Sequence, residues 1–386
     1  MTRLNLGGPA RQALASDPVL VARGHAVRIF AGTPSAAEGD LFRAFEAAGL
    51  DVVRVPGLAR GLSFTGDVRA LATLKRGLRE FVPDVVHTHA SKAGALGRRA
   101  ARVVPRAARV HTFHGHVLDG YFPPFISNGI AALERRLARS TDRIVAVSHA
   151  TADDLLRHGI LPDERRLVVV PPGVDLTPLL AIPARTVPST GAVRELLGAQ
   201  PEDFVVGVVG RLAEVKRPLV ALDVFELLAP RYPRLHVVFI GDGSERGALE
   251  RRIGAYAEPV RARAHLIGAR TDMPSVLADL DAVLLTSRTE GLPIALIEAG
   301  AAARPVVAMD VGGVAEIVAH ERTGWLGKTA DDLAFGLAQL LDDARIGPAL
   351  GLRARIRVES RHSATALADR LVELYSVVVE EKRCAS

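Results

Sequence analysis

The sequence reads Leu284-Leu-Thr-Ser-Arg-Thr-Glu-Gly-Leu-Pro-Ile-Ala-Leu-Ile-Glu298, an apolar stretch that passes through a glycine and proline turn into an alanine-rich helix. A second apolar stretch follows at Arg304–Met309. Because proline suits the first turn of a helix, Gly291–Ile294 should present backbone N–H groups at a helix N-terminus, and such an end attracts phosphate. Glu298 lies about one turn further in, where it can reach a sugar hydroxyl. The alternative is that Glu290 and Glu298 have this spacing by chance.

Apolar stretches alternate with helical ones along the whole chain, which predicts parallel βαβ units. A linker rich in Pro, Thr and Ser at Leu176–Gly191 separates two such series. We therefore expect an α/β protein of two doubly wound, Rossmann-like domains facing a central cleft. The expected domains are residues 1–172, to which a final helix at 364–386 crosses back, and residues 173–363. The predicted strands are Ala26–Ala31, Asp51–Val55, Val85–Thr88, Arg109–Phe113, Arg143–Ser148, Leu167–Val170, Phe204–Gly210, His236–Gly241, His265–Gly268, Ala282–Thr286 and Val306–Ala308.

The N-terminal stretch Thr2–Pro9 reads as the end of a strand that enters a turn at Gly7-Gly8, followed by a helix at Ala10–Ala22. Glycines there allow a ligand to approach the backbone closely. Pro18 falls inside the expected helix, where it should cause a kink. We expect the first strand to be short or to begin upstream of Met1.

The composition indicates a globular protein without disulfides. The chain has 386 residues, enough for two domains, with 48% hydrophobic and 24% charged residues. Its one cysteine, Cys384, excludes a thiolate metal site and fits a reducing cytoplasm. The N-terminus shows no signal-peptide pattern, and no apolar run is long enough to span a membrane.

The charge is unevenly distributed. Residues 1–172 hold 24 Lys and Arg against 15 Asp and Glu, whereas the remainder holds 25 against 28. This asymmetry favours an anionic acceptor or contact with the inner face of a membrane, or it reflects only an arginine-rich composition. An aromatic content of 4% argues against nucleic acid, because no stacking platform stands out.

Cationic residues follow the first strand of the second half. Gly210-Arg211 comes directly after the predicted strand Phe204–Gly210, and Lys216 lies five residues beyond Arg211. Arginine binds phosphate bidentately and lysine supplies a point charge, so the loop suits a diphosphate, the alternative being a solvated basic loop. Gly241-Asp242-Gly243 ends the next strand and by itself indicates a turn.

These motifs in this order closely resemble the donor-binding domain of the retaining family 4 glycosyltransferases, which have the GT-B fold. The resemblance covers nearly the whole chain. It implies that Glu290 binds hexose hydroxyls, Glu298 binds ribose hydroxyls, and Arg211 and Lys216 neutralise the diphosphate leaving group. It further implies a donor site in which backbone groups contact the sugar, the distal phosphate and the nucleobase, formed by Gly291, Leu292, Pro293, Ile294, Ala269, Arg270 and, in the first domain, Gly8.

In the first domain, Val110-His-Thr-Phe-His114-Gly-His116 matches the histidine segment of the same family. The resemblance implies that His114 contacts the donor sugar on the reacting face, through its side chain or its backbone carbonyl. His89 and Lys92, at the rim of the first sheet, are candidates for the acceptor side, although Lys92 could equally be a surface residue. A zinc cluster of His87, His89, His111, His114 and His116 is the alternative, but no carboxylate or cysteine completes it.

The predicted function is therefore hexose transfer from a nucleotide sugar, with a UDP-sugar favoured, to a glycan, lipid-linked or small-molecule acceptor. The resemblance implies retention of configuration and no bound metal or other cofactor. A nucleotide-sugar 2-epimerase of the same fold is the alternative activity. A dinucleotide-binding protein is disfavoured, because no Gly-X-Gly-X-X-Gly fingerprint follows a first strand. We expect a cytoplasmic enzyme, at the inner face of the membrane if its acceptor is a lipid.

Overall fold

The computed structural model describes residues 1–5, 7–34, 39–59, 61, 63–115, 124–161, 163–184 and 191–384. The chain divides into two compact units, Met1–Asp175 with Arg361–Ser386, and Leu176–Ser360. The predicted domain boundaries lie three residues from these limits, at 172/173 against 175/176 and at 363/364 against 360/361.

The first unit is a Rossmann-like domain of short parallel strands and helices. Its elements up to residue 169 are α1 Gly8–Ala22, β1 Arg28–Ala31, α2 Phe42–Ala47, β2 Asp51–Arg54, α3 Phe64–Phe81, β3 Val85–His89, α4 Ser91–Ala100, β4 Ala108–Phe113, α5 Pro124–Ala138, β5 Arg143–Ala146, α6 His149–Arg157 and β6 Leu167–Val169. Strands β3, β4, β5 and β6 form one parallel sheet in that order, and β1 pairs with β2 in another.

The opening segment differs from its prediction, because residues 2–4 do not form a strand. The carbonyl oxygen of Thr2 accepts from Gly32 N at 3.2 Å, while its hydroxyl accepts from Ala93 N at 3.3 Å. The segment thus contacts the ends of β1 and α4 without forming a ladder with either sheet. Helix α1 also differs in that it begins at Gly8 and continues through Pro18 to Ala22.

The second unit has a parallel sheet with strand order β12-β11-β10-β7-β8-β9. Its elements, together with the two helices that end the chain, are α7 Thr177–Leu180, α8 Ala192–Leu197, β7 Phe204–Val209, α9 Pro218–Leu228, β8 Leu235–Ile240, α10 Arg246–Gly254, α11 Glu258–Arg261, β9 Ala264–Gly268, α12 Met273–Asp279, β10 Ala282–Leu285, α13 Ile294–Ala301, β11 Val306–Met309, α14 Val314–Ile317, β12 Gly324–Gly327, α15 Ala330–Asp342, α16 Ile346–His362 and α17 Ala364–Cys384.

The order of strands in this sheet reverses between β7 and β10, which lie side by side with Ala282 opposite Val206. At such a switch point the loops after the two strands diverge and leave a crevice at their carboxyl ends, where ligands of doubly wound folds bind. The loop after β7 carries Arg211 and Lys216, and the loop after β10 carries Glu290.

Helix α17 belongs to the first unit, as the predicted return of the final helix requires. Its apolar face contributes Leu367, Leu371, Leu374 and Val378 to a core cluster with β4 and β5 residues. Burying four large aliphatic side chains stabilises such a contact by several kcal/mol, at about 1.5–3 kcal/mol for each one. Among the described residues, no helix is long and apolar enough to span a bilayer.

Candidate active site

The loops after β7 and β8 are hydrogen-bonded to each other, and they meet at Gly210 and Gly241. Gly210 N donates to Ile240 O at 3.0 Å, and Leu212 N donates to Asp242 O at 3.0 Å. Gly241 has a φ of 151°, and a Cβ there would clash with the carbonyl oxygen of Gly210. The Gly241-Asp242-Gly243 turn therefore supports the Arg211 loop.

The loop after β10 holds Lys216 in place through its backbone. Thr286 Oγ1 donates to Lys216 O at 3.1 Å and to Arg217 O at 2.9 Å, and Arg288 N donates to Val215 O at 2.8 Å. Arg217 adopts a left-handed φ of 47° immediately before α9 begins. The lysine is thus fixed between two strand ends rather than carried on a free loop.

Lys216 and Glu290 form an ion pair. Lys216 Nζ lies 2.5 Å from Glu290 Oε1, and Ser287 Oγ donates to the same oxygen at 2.6 Å. The Glu290 side chain is 9% exposed and that of Lys216 is 29% exposed. Both donors use Oε1, and among the described residues no hydrogen bond to Oε2 is found. Glu290 is therefore held through one of its two carboxylate oxygens.

The backbone of Glu290 is fixed by the loop after β11. Gly313 N donates to Glu290 O at 3.3 Å, and Gly312 has a left-handed φ of 54°. A Cβ at Gly312 would clash with that same carbonyl oxygen, so only glycine permits this close approach. Three strand ends, those of β7, β10 and β11, thus define the position of Glu290.

Helix α13 begins one residue later than the sequence predicts. Pro293 is its N-cap, with φ −75° and ψ 113°, and Ile294 is its first residue. The predicted placement of Pro293 inside the first turn is therefore wrong, because its extended ψ keeps it outside the helix. Glu298 lies in the second turn and is 3% exposed. Leu292 is buried beside this turn.

The remaining predicted donor residues lie at other strand ends of the second unit. Arg211 is exposed directly after Gly210. Ala269 is exposed after β9, and Arg270 is held by Asp272 through hydrogen bonds of 2.8 and 2.6 Å. Arg270 is therefore fixed by its neighbour, while Arg211 lies in the loop after β7, one of the two strands at the switch point.

Predicted residues of the first unit lie around β3 and β4. His89 Nδ1 is 2.9 Å from His114 Nε2. Lys92 forms an ion pair with Asp67 at 2.6 Å and donates to Gly61 O, which ties it to the start of α3. Gly8 is the first residue of α1.

In the part of the chain that the structure describes, no group of side chains is arranged to bind a zinc ion. Both ring nitrogens of His87 have protein partners, Tyr375 at 2.6 Å and Thr112 at 2.7 Å. His111 Nδ1 is bound to Thr88 Oγ1 at 2.8 Å. His116 lies outside the described residues.

Ser287 and Thr286 were missed by the sequence analysis. Both are almost fully buried, and both bind a residue of the predicted site. The available signal was a hydroxyl three residues before Glu290, a spacing at which a side chain can turn back to a carboxylate.

Comparison with known proteins places this chain in a family. Residues 6–178 match the family model described as Glycosyltransferase Family 4, and residues 191–362 match Glycosyl transferases group 1. A D-inositol 3-phosphate glycosyltransferase from Xylanimonas cellulosilytica is 31% identical over 380 residues, which cover 92% of this chain and 87% of the relative. The chain belongs to glycosyltransferase family 4. This family 4 enzyme uses a nucleotide sugar as its donor.

Two further relatives of this family 4 glycosyltransferase extend the comparison. The UDP-Gal:alpha-D-GlcNAc-diphosphoundecaprenol alpha-1,3-galactosyltransferase of Escherichia coli is 27% identical over 332 residues, covering 85% of this chain and 84% of the relative. The crystal structure of Anabaena HepE in complex with UDP-glucose has a TM-score of 0.78 at 21% identity, with 96% of each chain covered. The fold is GT-B, as predicted.

Proposed function

We propose that this glycosyltransferase moves a hexose from a UDP-sugar to a glycan or lipid-linked acceptor, with retention of anomeric configuration. The observation that carries the proposal is the Lys216–Glu290 pair at the switch point of the second sheet. A cation and a carboxylate that share one site suit a ligand with a diphosphate at one end and hydroxyl groups at the other.

Each charged residue has a role in this proposal. Glu290 accepts from the hexose hydroxyls through Oε2, and Glu298 from the ribose hydroxyls. Lys216 and Arg211 stabilise the negative charge that develops on the departing diphosphate. The backbone N–H groups of Gly291, Leu292 and Ile294 bind the distal phosphate at the start of α13, and Ala269 and Arg270 lie against the nucleobase.

UDP is the favoured nucleotide because of the relatives. The Escherichia coli enzyme is named for UDP-Gal, and the HepE structure contains UDP-glucose. The Escherichia coli and Xylanimonas cellulosilytica relatives are both named as transferases, which supports sugar transfer over the epimerase alternative. Incubating the enzyme with a UDP-sugar and no acceptor distinguishes the two, since an epimerase alters the sugar.

Retention is proposed to occur by attack on the same face from which the diphosphate leaves, with the leaving phosphate taking the proton of the acceptor. Glu290 is already bound by Lys216 and Ser287 and is assigned to hexose hydroxyls, so it is not the nucleophile of a double displacement. Mass spectrometry of the enzyme after brief exposure to donor tests this step. A covalent glycosyl-enzyme would overturn it.

We also propose that transfer needs no metal ion, because Lys216 and Arg211 supply positive charge where the diphosphate leaves. Transfer should then continue at an unchanged rate after treatment with EDTA. A loss of activity that Mg²⁺ or Mn²⁺ restores would contradict this part of the proposal.

The acceptor is proposed to be lipid-linked, with transfer at the inner face of the cytoplasmic membrane. The Escherichia coli relative is named for an undecaprenol-linked acceptor. The excess of basic residues in 1–172 suits an anionic surface. Co-sedimentation with anionic liposomes at low and high salt tests this, and the absence of salt-sensitive binding would favour a soluble glycan.

The central experiment separates the two glutamates. A panel of nucleotide sugars is first tested for hydrolysis and for thermal stabilisation of the enzyme. Glu290→Gln should then weaken binding of the preferred UDP-hexose about tenfold with little change in UDP affinity, whereas Glu298→Gln should weaken both. Equal effects of Glu290→Gln on UDP and UDP-hexose would refute the assignment of Glu290 to the sugar.

A further inference from the structure

Four of the described histidines lie together toward the carboxyl ends of β3 and β4, and two of them are held by contacts within the fold. His87 uses both ring nitrogens, toward Tyr375 of α17 and Thr112 of β4. His111 is 1% exposed, and its ring packs so closely on Gly94 that a Cβ there would clash. These two rings anchor helices α17 and α4 to the sheet.

The other two histidines bind each other. His89 Nδ1 and His114 Nε2 are 2.9 Å apart, with ring centroids separated by 5.2 Å. Burial lowers the pKa of His114 to about 4 and that of His89 well below its usual range. Both rings are therefore neutral near pH 7, so one nitrogen of the pair donates and the other accepts.

The remaining nitrogen of His114 has no such partner. Its Nδ1 is buried, and no described residue forms a hydrogen bond with it. Buried polar atoms in folded proteins are almost always hydrogen-bonded, and one that is not points to a missing ligand or water. A sugar hydroxyl satisfies Nδ1 in either tautomer, because a hydroxyl both donates and accepts.

We propose that His89 is a positioning residue, which binds Nε2 of His114 and thereby leaves Nδ1 of His114 to a hydroxyl of the sugar substrate. This inference rests on the proposed function, since it requires that the enzyme bind a sugar substrate. Without His89, the His114 ring can rotate by 180° about its Cβ–Cγ bond, which moves Nδ1 to the position of Cδ2 and Nε2 to the position of Cε1. In this proposal His89 acts through His114, whereas the sequence analysis assigned it to the acceptor side.

Paired amide substitutions test the orientation, because the asparagine amide overlaps Nδ1 of histidine and the glutamine amide overlaps Nε2. We expect His114→Asn to retain more transfer activity than His114→Gln, by about tenfold. At the other ring, His89→Asn keeps a partner for His114 and should exceed His89→Gln by a similar factor. Equal activities within either pair, or the reverse order, would overturn the inference.

Two further measurements distinguish a failure of this inference from a failure of the proposed function. Thermal unfolding of all four variants controls for stability, and UDP affinity should be unchanged in each because the proposed UDP contacts lie in the second unit. A wild-type enzyme that neither binds nor turns over any UDP-sugar would refute the proposed function. Histidine side-chain ¹⁵N NMR tests the inference without turnover: one His114 tautomer in the wild type should become a mixture in His89→Ala, and an unchanged spectrum would refute it.

Discussion

Lys216 Nζ lies 2.5 Å from Glu290 Oε1, and the two residues come from the loops after adjacent strands, β7 and β10. The carboxylate partly neutralises the lysine and fixes its position beside the start of α13. A diphosphate that binds there meets a cation whose side chain is already oriented, so little reorganisation is needed as the leaving group gains charge. Because the two side chains are paired, we expect replacement of either one by a neutral residue of similar size to affect the position of the other.

Lys216→Ala should slow transfer on the order of 10²-fold, because it removes the cation from the developing charge and leaves Glu290 without its ionic partner. Steady-state kinetics with saturating donor measures the effect. The exposed Lys328 of the same unit provides the matched control, and Lys328→Ala should transfer at the wild-type rate. Near-normal turnover in Lys216→Ala would remove Lys216 from the site.

Ser287→Ala should lower kcat/KM for the UDP-hexose about tenfold while UDP affinity stays unchanged. Ser287 is 0% exposed and donates to Glu290 Oε1, so its loss removes one of the two donors that hold the carboxylate proposed to bind the sugar. Competition of UDP against the UDP-hexose separates the two affinities.

Ser148→Ala is the matched control for that substitution. Ser148 is also 0% exposed, and its hydroxyl caps α6 by accepting from Thr151 N at 3.0 Å. Its loss should cost about 1 kcal/mol of stability and leave the kinetics unchanged. If Ser287→Ala behaved like Ser148→Ala, with only a lower unfolding temperature, Ser287 would be a structural hydroxyl.

The fold was predictable because parallel strands buried on both faces are apolar and separated by helices, a pattern that periodicity detects well. The sequence pattern did not predict the edge strand Gly324–Gly327, because this strand is only four residues long and is bounded by glycines. The pattern also did not predict α16, because Gly347 and Pro348 in its first turn are typical of a loop. The short helix α12 was likewise not predicted.

The candidate site was predictable where a motif is contiguous in sequence and not where it depends on register. Glu290 and Glu298 lie in one strand–helix unit, so their relation follows from local structure. The contact between His89 and His114 requires β3 and β4 to pair with His89 opposite Thr112, which no local pattern specifies. The side chain of Glu290 likewise meets Lys216 only because the sheet places β10 beside β7.

Gly241→Ala should destabilise the protein by on the order of 3 kcal/mol, because the residue has a φ of 151° and a Cβ would clash with the carbonyl oxygen of Gly210. Chemical denaturation measures the free energy of unfolding. Gly254→Ala is the matched control: Gly254 ends α10, and no atom outside its own chain neighbours and helix backbone lies within 4 Å of an added Cβ. That variant should be neutral or slightly more stable, and equal losses in both variants would contradict the packing argument.

Acid should destabilise the first unit through its buried histidines. Burial lowers the pKa of His87 to about 3 and of His114 to about 4, whereas the unfolded chain takes up these protons below about pH 6.5. The free energy of unfolding should therefore be highest above pH 6.5 and fall as the pH drops toward 4. Urea unfolding at pH 7, 5.5 and 4.5 measures this slope, and His87→Gln should reduce it, with His25→Gln at an exposed position as control. If the free energy of unfolding stayed constant or rose as the pH was lowered from 7 to 4.5, the two rings would take up protons in the folded protein.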